Sequence, residues 1–141
     1  MNFLVDANVL SEATKPQPAP SVNDWLRVHE RRLVVNPIVL GELEYGILLL
    51  PAGRRQTRLQ KWFAEGARKL FVLDMDSGTA SVWAELLAEL KRKGRAMPLK
   101  DSLIAATARQ HRLTVATRNV SDYRHAGVSL VNPFEPNGNK S

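Results

Sequence analysis

Three acidic residues have the type and the placement to take part in catalysis: Asp6, Glu42 and Asp101. Asp6 directly follows a short apolar run, Glu42 lies within an apolar helical segment, and Asp101 stands near the start of a later helix. Oxygen ligands of this kind, without histidine or cysteine among them, suit Mg²⁺ or Mn²⁺ better than zinc. A divalent ion held by carboxylates can activate water and neutralise the charge that develops on a phosphodiester. The set therefore indicates metal-dependent phosphodiester hydrolysis.

The first and third acids also have simpler interpretations. Asp6 could cap the short helix that follows it, although a capping carboxylate can still bind a metal. Asp101 lies on one helical face with Ile104, Ala105 and Ala108, and capping is again the alternative. No Glu or Gln follows Asp101 by three residues, so a capping box is incomplete. The small alanines would let this helix approach the sheet and hold Asp101 near its edge.

Glu42 is more informative because of its neighbours on the helical wheel. On a helix that begins at Pro37, steps of about 100° place Glu42 between Leu49 and Gly46, within an apolar arc. Glu44 falls on the far side, where a charge is ordinary. A buried carboxylate needs a cation, a metal or a proton. The alternatives are an arginine salt bridge or a wet position at the rim.

The elements that must position these acids alternate along the chain. Strands are predicted at 2–5, 33–35, 71–73, 113–117 and 128–131, and the third could instead be only the exit of a helix. Helices are predicted at 8–12, 21–29, 37–50, 54–70, 76–94 and 100–111. The helix at 76–94 has four apolar residues at helical spacing: Ala80, Trp83, Leu87 and Leu90.

This alternation predicts an α/β fold with a mostly parallel sheet covered by helices on both faces. Ligands of such folds bind beyond the carboxyl ends of the strands, which draws attention to Asp6 and to 117–119.

The length of 141 residues suits one domain, predicted over 1–134, with a polar and frayed tail at 135–141. The absence of cysteine excludes a disulfide scaffold, a thiolate nucleophile and a cysteine zinc site. Without a signal peptide or a long apolar run, a soluble, cytoplasmic protein without a membrane partner is expected.

The charge balance favours a polyanionic partner. Lys and Arg number 20 against 14 Asp and Glu, which gives a net charge of +6 and a pI near 10.1. Such a balance raises the local concentration of polyanions, including nucleic acid. The basic clusters could equally be ordinary solvated helix faces. Charge alone therefore names no function.

Five segments, taken in order, resemble the motifs of PIN-domain proteins, in the branch of the VapC and FitB toxins: 5–12 (VDANVLSE), 41–47 (GELEYGI), 100–108 (KDSLIAATA), 117–123 (TRNVSDY) and 131–134 (VNPF). The resemblance covers roughly 1–134. It implies a three-layer α/β/α sandwich, RNA cleavage that depends on Mg²⁺ or Mn²⁺, a homodimer, and inhibition by a VapB-type antitoxin.

Carried over by residue, the resemblance makes Asp6, Glu42 and Asp101 the first three acids of the family's site. Asp6 and Asp101 would hold the principal ion, and Glu42 would complete the acidic pocket. The fourth acidic position falls on Asn119, which carries no charge, and Asp122 would restore a carboxylate if its loop turned inward.

Three further residues have supporting roles by the same resemblance. Asn8 and Thr117 could orient ligands or water, and Arg118 could contact phosphate, with a structural salt bridge as its alternative. The leading hypothesis is the endoribonuclease toxin of a type II toxin–antitoxin system. Its rival is a FitB-like binding module that acts with its antitoxin on operator DNA and has little or no nuclease activity.

Overall fold

The computed structural model describes residues 2–135 of the chain. Apart from Glu135, the predicted tail 135–141 lies outside the described residues. Within the described part, no helix combines the length and the apolar character that crossing a membrane requires.

Five parallel strands form one sheet in the order β3-β2-β1-β4-β5. Their bounds are β1 Phe3–Val5, β2 Leu33–Val35, β3 Phe71–Val72, β4 Thr114–Ala116 and β5 Ser129–Val131. In the central register, Leu4 lies between Val34 and Val115, and all three are buried. Residues 71–72 form a strand that pairs with β2. The predicted strand is therefore present, and the alternative that this segment only ends the preceding helix is wrong.

Six α-helices connect the strands: α1 Ala7–Glu12, α2 Pro20–Val28, α3 Pro37–Leu48, α4 Arg54–Glu65, α5 Ser77–Arg92 and α6 Leu99–His111. Short 3₁₀ turns lie at Glu30–Arg32, Ala67–Lys69 and Val120–Tyr123. Because crossovers between parallel strands are right-handed, α1–α4 cover one face of the sheet and α5 and α6 cover the other. The predicted α/β/α sandwich is confirmed.

The start of α3 follows from its sequence. Asn36 is buried after β2, and its Oδ1 accepts a hydrogen bond from the backbone N–H of Val39 at 3.0 Å. Pro37 occupies the first helical position, where its missing N–H costs nothing. This start ties α3, and with it Glu42, to the end of β2.

The buried face of α5 matches the predicted one only in part: Leu90 is buried and Trp83 is half-buried. Thr79, Leu86 and Leu90 are buried, whereas Ala80 is exposed and Leu87 is 37% exposed. Three pairs of side chains join this helix to α6 by hydrogen bonds. The pairs are Thr79 with Gln110, Trp83 with Ser102 and Glu89 with Arg109. The spacing of apolar residues alone could not predict those polar contacts.

The topology of the sheet forms a crevice at the carboxyl end of β1. From β1 the chain moves to β2 and β3, then crosses back to β4 on the other side of β1. The connections therefore diverge at the carboxyl end of β1, where open α/β sheets form their ligand crevice. Asp6 follows β1 directly, and Thr117 follows β4.

Candidate active site

The Asp6 carboxylate is buried at this crevice, with 3% of the residue exposed. Its Oδ1 accepts a hydrogen bond from the N–H of Ala7 at 2.8 Å, as a cap of α1 would. Its Oδ2 accepts from the hydroxyls of Thr117 at 2.8 Å and Tyr123 at 3.2 Å, and from Nδ2 of Asn8 at 3.4 Å. A buried carboxylate is costly without donors, and these four groups stabilise it. Asp6 therefore both caps α1 and faces the crevice.

Asp101 lies beside Asp6, in the first turn of α6. It does not cap the helix, because the cap position is Pro98, whose side chain makes no hydrogen bond. Burial of the Asp101 carboxyl raises its pKa from 3.8 to about 6, and the charges of Asp6, Asp122 and Glu42 act in the same direction. The hydrogen bond from Tyr123 opposes that rise. The site thus concentrates negative charge that a cation would neutralise.

Tyr123 is the site residue that the sequence analysis missed. It is completely buried at the end of the 3₁₀ turn after β4. Its hydroxyl lies 3.2 Å from Oδ2 of Asp6 and 3.4 Å from Oδ1 of Asp101. Burial and the two carboxylates raise the pKa of Tyr123 far above its ordinary value, so the hydroxyl keeps its proton. A buried tyrosine hydroxyl requires a polar partner, and that requirement was the available signal.

Glu42 stands at the partly exposed rim of the site rather than in the buried core. Its Oε2 lies 3.2 Å from Nζ of Lys100, and its side chain is 26% exposed. Gly46 and Leu49, its neighbours on the arc, are exposed. The arc borders an open groove, so the expectation of burial was wrong, and the alternative of a wet rim position describes Glu42 correctly. The pairing cation is a lysine rather than an arginine.

Asn8 and Thr117 fasten the loop after β4 to the start of α1. The Thr117 hydroxyl donates to Asp6 and accepts from the N–H of Asn119 at 3.0 Å and from Nδ2 of Asn8 at 3.3 Å. Oδ1 of Asn8 accepts from the N–H of Arg118 at 3.0 Å. The two side chains thereby hold the loop in place around Asp6.

The remaining predicted residues are on the exposed side of that loop. The Arg118 guanidinium lies 4.7 Å from the ring centroid of Phe134, a cation–π contact, and none of the ion pairs within residues 2–135 includes it. Asn119 and Asp122 are exposed. Asp122 contributes to the raised pKa of Asp101, so its charge acts on the site, whereas Asn119 brings no charge.

The fit to a divalent ion rests on two carboxylates. Across residues 2–135, no three His, Asp or Glu side chains are arranged to hold a metal ion. Asp6 and Asp101 meet at one hydroxyl, and their oxygens are hard ligands. Mg²⁺ is commonly bound by one or two carboxylates and several waters. This donor pair therefore fits such an ion.

A groove of about 360 Å³ opens beside Glu42, between α1, α3 and α4. Its polar lining includes Asn8, Glu42 and Arg55, and its floor is formed by apolar side chains such as Leu43 and Leu59. The groove gives access to the rim of the site from one side.

Comparison with known proteins agrees with this geometry. The profile of the PIN domain family matches residues 3–127. The chain is 34% identical over 141 residues to "VapC ribonuclease Y4jK" of Sinorhizobium fredii, with 95% of this chain and 99% of the relative covered. It is 34% identical over 136 residues to "Toxin FitB" of Neisseria gonorrhoeae, with 94% and 98% covered.

A solved structure supports the same relationship. The structure of FitAB bound to an IR36 DNA fragment superimposes with a TM-score of 0.88 at 32% identity, covering 94% of this chain and 96% of that one. Sequence and fold therefore agree over nearly the whole described length. The chain belongs to the PIN domain family, in the branch of the VapC and FitB toxins.

Proposed function

We propose that the chain is the toxin of a type II toxin–antitoxin system and hydrolyses RNA phosphodiester bonds with Mg²⁺ or Mn²⁺. The observation that carries the proposal is the meeting of Asp6 and Asp101 at the hydroxyl of Tyr123, at the carboxyl edge of β1. The name of the relative Y4jK, a VapC ribonuclease, supports the same chemistry.

In this proposal Asp6 and Asp101 hold the ion, and Glu42 completes the acidic pocket. When bound, the ion would supply an activated water and neutralise charge on the phosphodiester. The chain's own groups prepare the pocket before that. Thr117 and Asn8 fix the orientation of the Asp6 carboxylate through their hydrogen bonds to Oδ2.

Exposed cations of α4 support attraction for RNA. Arg54, Arg58 and Lys61 lie within about 60° of one another on α4, are exposed, and form no ion pair within residues 2–135. Arg55 lines the groove beside Glu42. Unpaired cations of this kind attract phosphate and offset the repulsion between the acidic pocket and the RNA backbone. Arg118 is placed on the exposed side of the loop, where it could contact a phosphate.

The proposed partners are a VapB-type antitoxin, a second copy of the chain, and operator DNA bound only by the toxin–antitoxin complex. The titles of the solved relatives support the first and third, because they name FitAB and VapBC complexes and some include DNA. The homodimer rests on the family resemblance. The proposed place of action is the cytoplasm.

The test is cleavage of RNA by the purified toxin, freed of antitoxin, with Mg²⁺ or Mn²⁺ and with a chelator. We expect cleavage only with metal, and loss of at least two orders of magnitude of activity in Asp6→Asn, since removing a main ligand removes the ion. The matched control is Asp24→Asn, an exposed acid on α2 whose side chain is 69% exposed. Full activity of Asp6→Asn with metal supplied would contradict the mechanism.

One observation favours a second candidate. The fourth acidic position is Asn119, and no three His, Asp or Glu side chains cluster as a metal site in the part of the chain that the structure describes. A binding module that acts with its antitoxin on operator DNA would need no complete site. Operator binding by the complex, together with no RNA cleavage by the free toxin at any metal concentration, would favour this candidate.

A further inference from the structure

We infer that Tyr123 is a positioning residue whose hydroxyl holds the Asp101 carboxylate against Asp6, in the arrangement that a divalent ion requires. The inference rests on the proposed function, since it concerns the metal pocket of the proposed nuclease. It assigns a role to a side chain that is not itself one of the acids.

The geometry of the hydroxyl is specific. It lies 3.2 Å from Asp6 Oδ2 and 3.4 Å from Asp101 Oδ1, and Tyr123 has no solvent exposure. A phenol has one proton, so it can donate to only one of the two carboxylates at a time. The hydroxyl therefore lies between both acids and joins two elements distant in sequence: the turn after β4 and the first turn of α6.

The two acids depend on this hydroxyl unequally. Asp6 also receives hydrogen bonds from Ala7, Thr117 and Asn8. For Asp101, Tyr123 is the only hydrogen-bond donor among residues 2–135. Removal of the hydroxyl would therefore leave Asp6 in place and release Asp101.

Packing alone does not explain a tyrosine at this position. A phenylalanine ring would fill the same volume without a polar atom to satisfy in the core. The hydroxyl is stable there because either neighbouring carboxylate can accept a hydrogen bond from it. Its placement thus serves the acids, in the way that residues behind metal ligands orient those ligands.

The experiment compares Tyr123→Phe with Tyr45→Phe, the other tyrosine of the chain, which lies on α3 and is 65% exposed. Mn²⁺ affinity is measured by calorimetry on antitoxin-free protein, without reference to catalysis. We expect Tyr123→Phe to weaken Mn²⁺ binding on the order of tenfold, a typical effect of losing a residue that orients a ligand. Tyr45→Phe should bind Mn²⁺ like the wild type. In cleavage assays, kcat should fall while KM for RNA stays unchanged.

A crystal structure of Tyr123→Phe identifies the residue through which Tyr123 acts. The Asp101 carboxylate should move away from Asp6, whereas Asp6 should keep its place because three other groups donate hydrogen bonds to it. An Asp101 carboxylate in its wild-type position would overturn the inference. Unchanged Mn²⁺ affinity in Tyr123→Phe, with a wild type that binds Mn²⁺ and cleaves RNA, would overturn it while leaving the proposed function intact.

Failure of the proposed function has a different signature. A wild type that binds no Mn²⁺ would refute the metal pocket and this inference with it. If Tyr123→Phe does not fold, the wild-type structure with Mn²⁺ decides. A Tyr123 hydroxyl within hydrogen-bonding distance of Asp101 supports the inference, and a hydroxyl separated from Asp101 refutes it.

Discussion

Replacing Asp101 with asparagine should stabilise the metal-free protein at neutral pH, although it removes a proposed metal ligand. The Asp101 carboxyl is half-buried, near the charges of Asp6, Asp122 and Glu42, and its pKa is raised from 3.8 to about 6. Asparagine keeps the shape and can still accept the hydrogen bond from Tyr123, but it carries no charge. The substitution therefore removes an unfavourable charge and preserves the packing.

The magnitude follows from the size of that shift. A change from 3.8 to about 6 corresponds to an upper limit of about 3 kcal/mol, at 1.36 kcal/mol for each pKa unit. Because Asp101 is only half-buried, screening by solvent reduces this to roughly 1–2 kcal/mol. For a urea m-value of about 2 kcal/mol per M, the unfolding midpoint should rise by roughly 0.5–1 M.

The raised pKa of Asp101 determines how the stability difference between the two proteins changes with pH. Between about pH 4 and 6 the folded protein retains the Asp101 proton that the unfolded chain has released. The wild type therefore loses this stability as pH rises through that window, and the variant does not. The assay is urea unfolding of both proteins in chelator at pH 4 and at pH 7.5. The difference should be only a small part of its full size at the lower pH and reach its full size at the higher one.

Two outcomes would refute this reasoning. A variant that is equal to the wild type or less stable at pH 7.5 would show that the Asp101 charge is not unfavourable. A difference that is the same at both pH values would show that it does not arise from a carboxyl titration. Added Mn²⁺ should stabilise the wild type and have little effect on Asp101→Asn, because binding to the folded state alone shifts the equilibrium.

Two further substitutions test other parts of the molecule. Glu12→Gln should destabilise the protein by roughly 1–2 kcal/mol in urea unfolding, because Glu12 pairs with Lys15 at 2.8 Å and accepts from the N–H of Ala19 at 2.9 Å. The hydrogen bond from Lys15 is the main cause that lowers the pKa of Glu12. The stability difference between the two proteins should therefore be complete above pH 4.5 and disappear as the pH falls further. A difference that stays constant with pH would contradict this prediction. Asp122→Asn should lower the pKa of Asp101, which is measured by NMR of its carboxyl carbon. An unchanged pKa of Asp101 would show that the charge of Asp122 does not act on the site.

Much of the fold could be predicted because its signals are local. The strands are short apolar runs, and the start of α3 follows from Asn36 and Pro37. The inner face of α5 was predicted only in part from apolar spacing, because polar side chains also pack against α6. Thr79 contacts Gln110 and Glu89 contacts Arg109, and both pairs join residues far apart in sequence.

The candidate site was predictable to a similar extent. Asp6 follows a buried strand of a parallel sheet, so its place at the carboxyl edge follows from the fold class. The predicted environment of Glu42 was wrong, because a helical wheel does not show whether an arc faces the core or a groove. Tyr123 was missed because its role depends on a distance to Asp101, across 22 residues of chain.

The central claim is that Asp6 and Asp101 together hold a divalent ion. The most direct measurement is a crystal structure of the antitoxin-free protein soaked in Mn²⁺, with anomalous diffraction to locate the metal. We expect one strong anomalous peak in contact with the carboxylates of both Asp6 and Asp101. A well-ordered structure at saturating Mn²⁺ with no peak between these two acids, or with a peak that contacts neither, would contradict the claim.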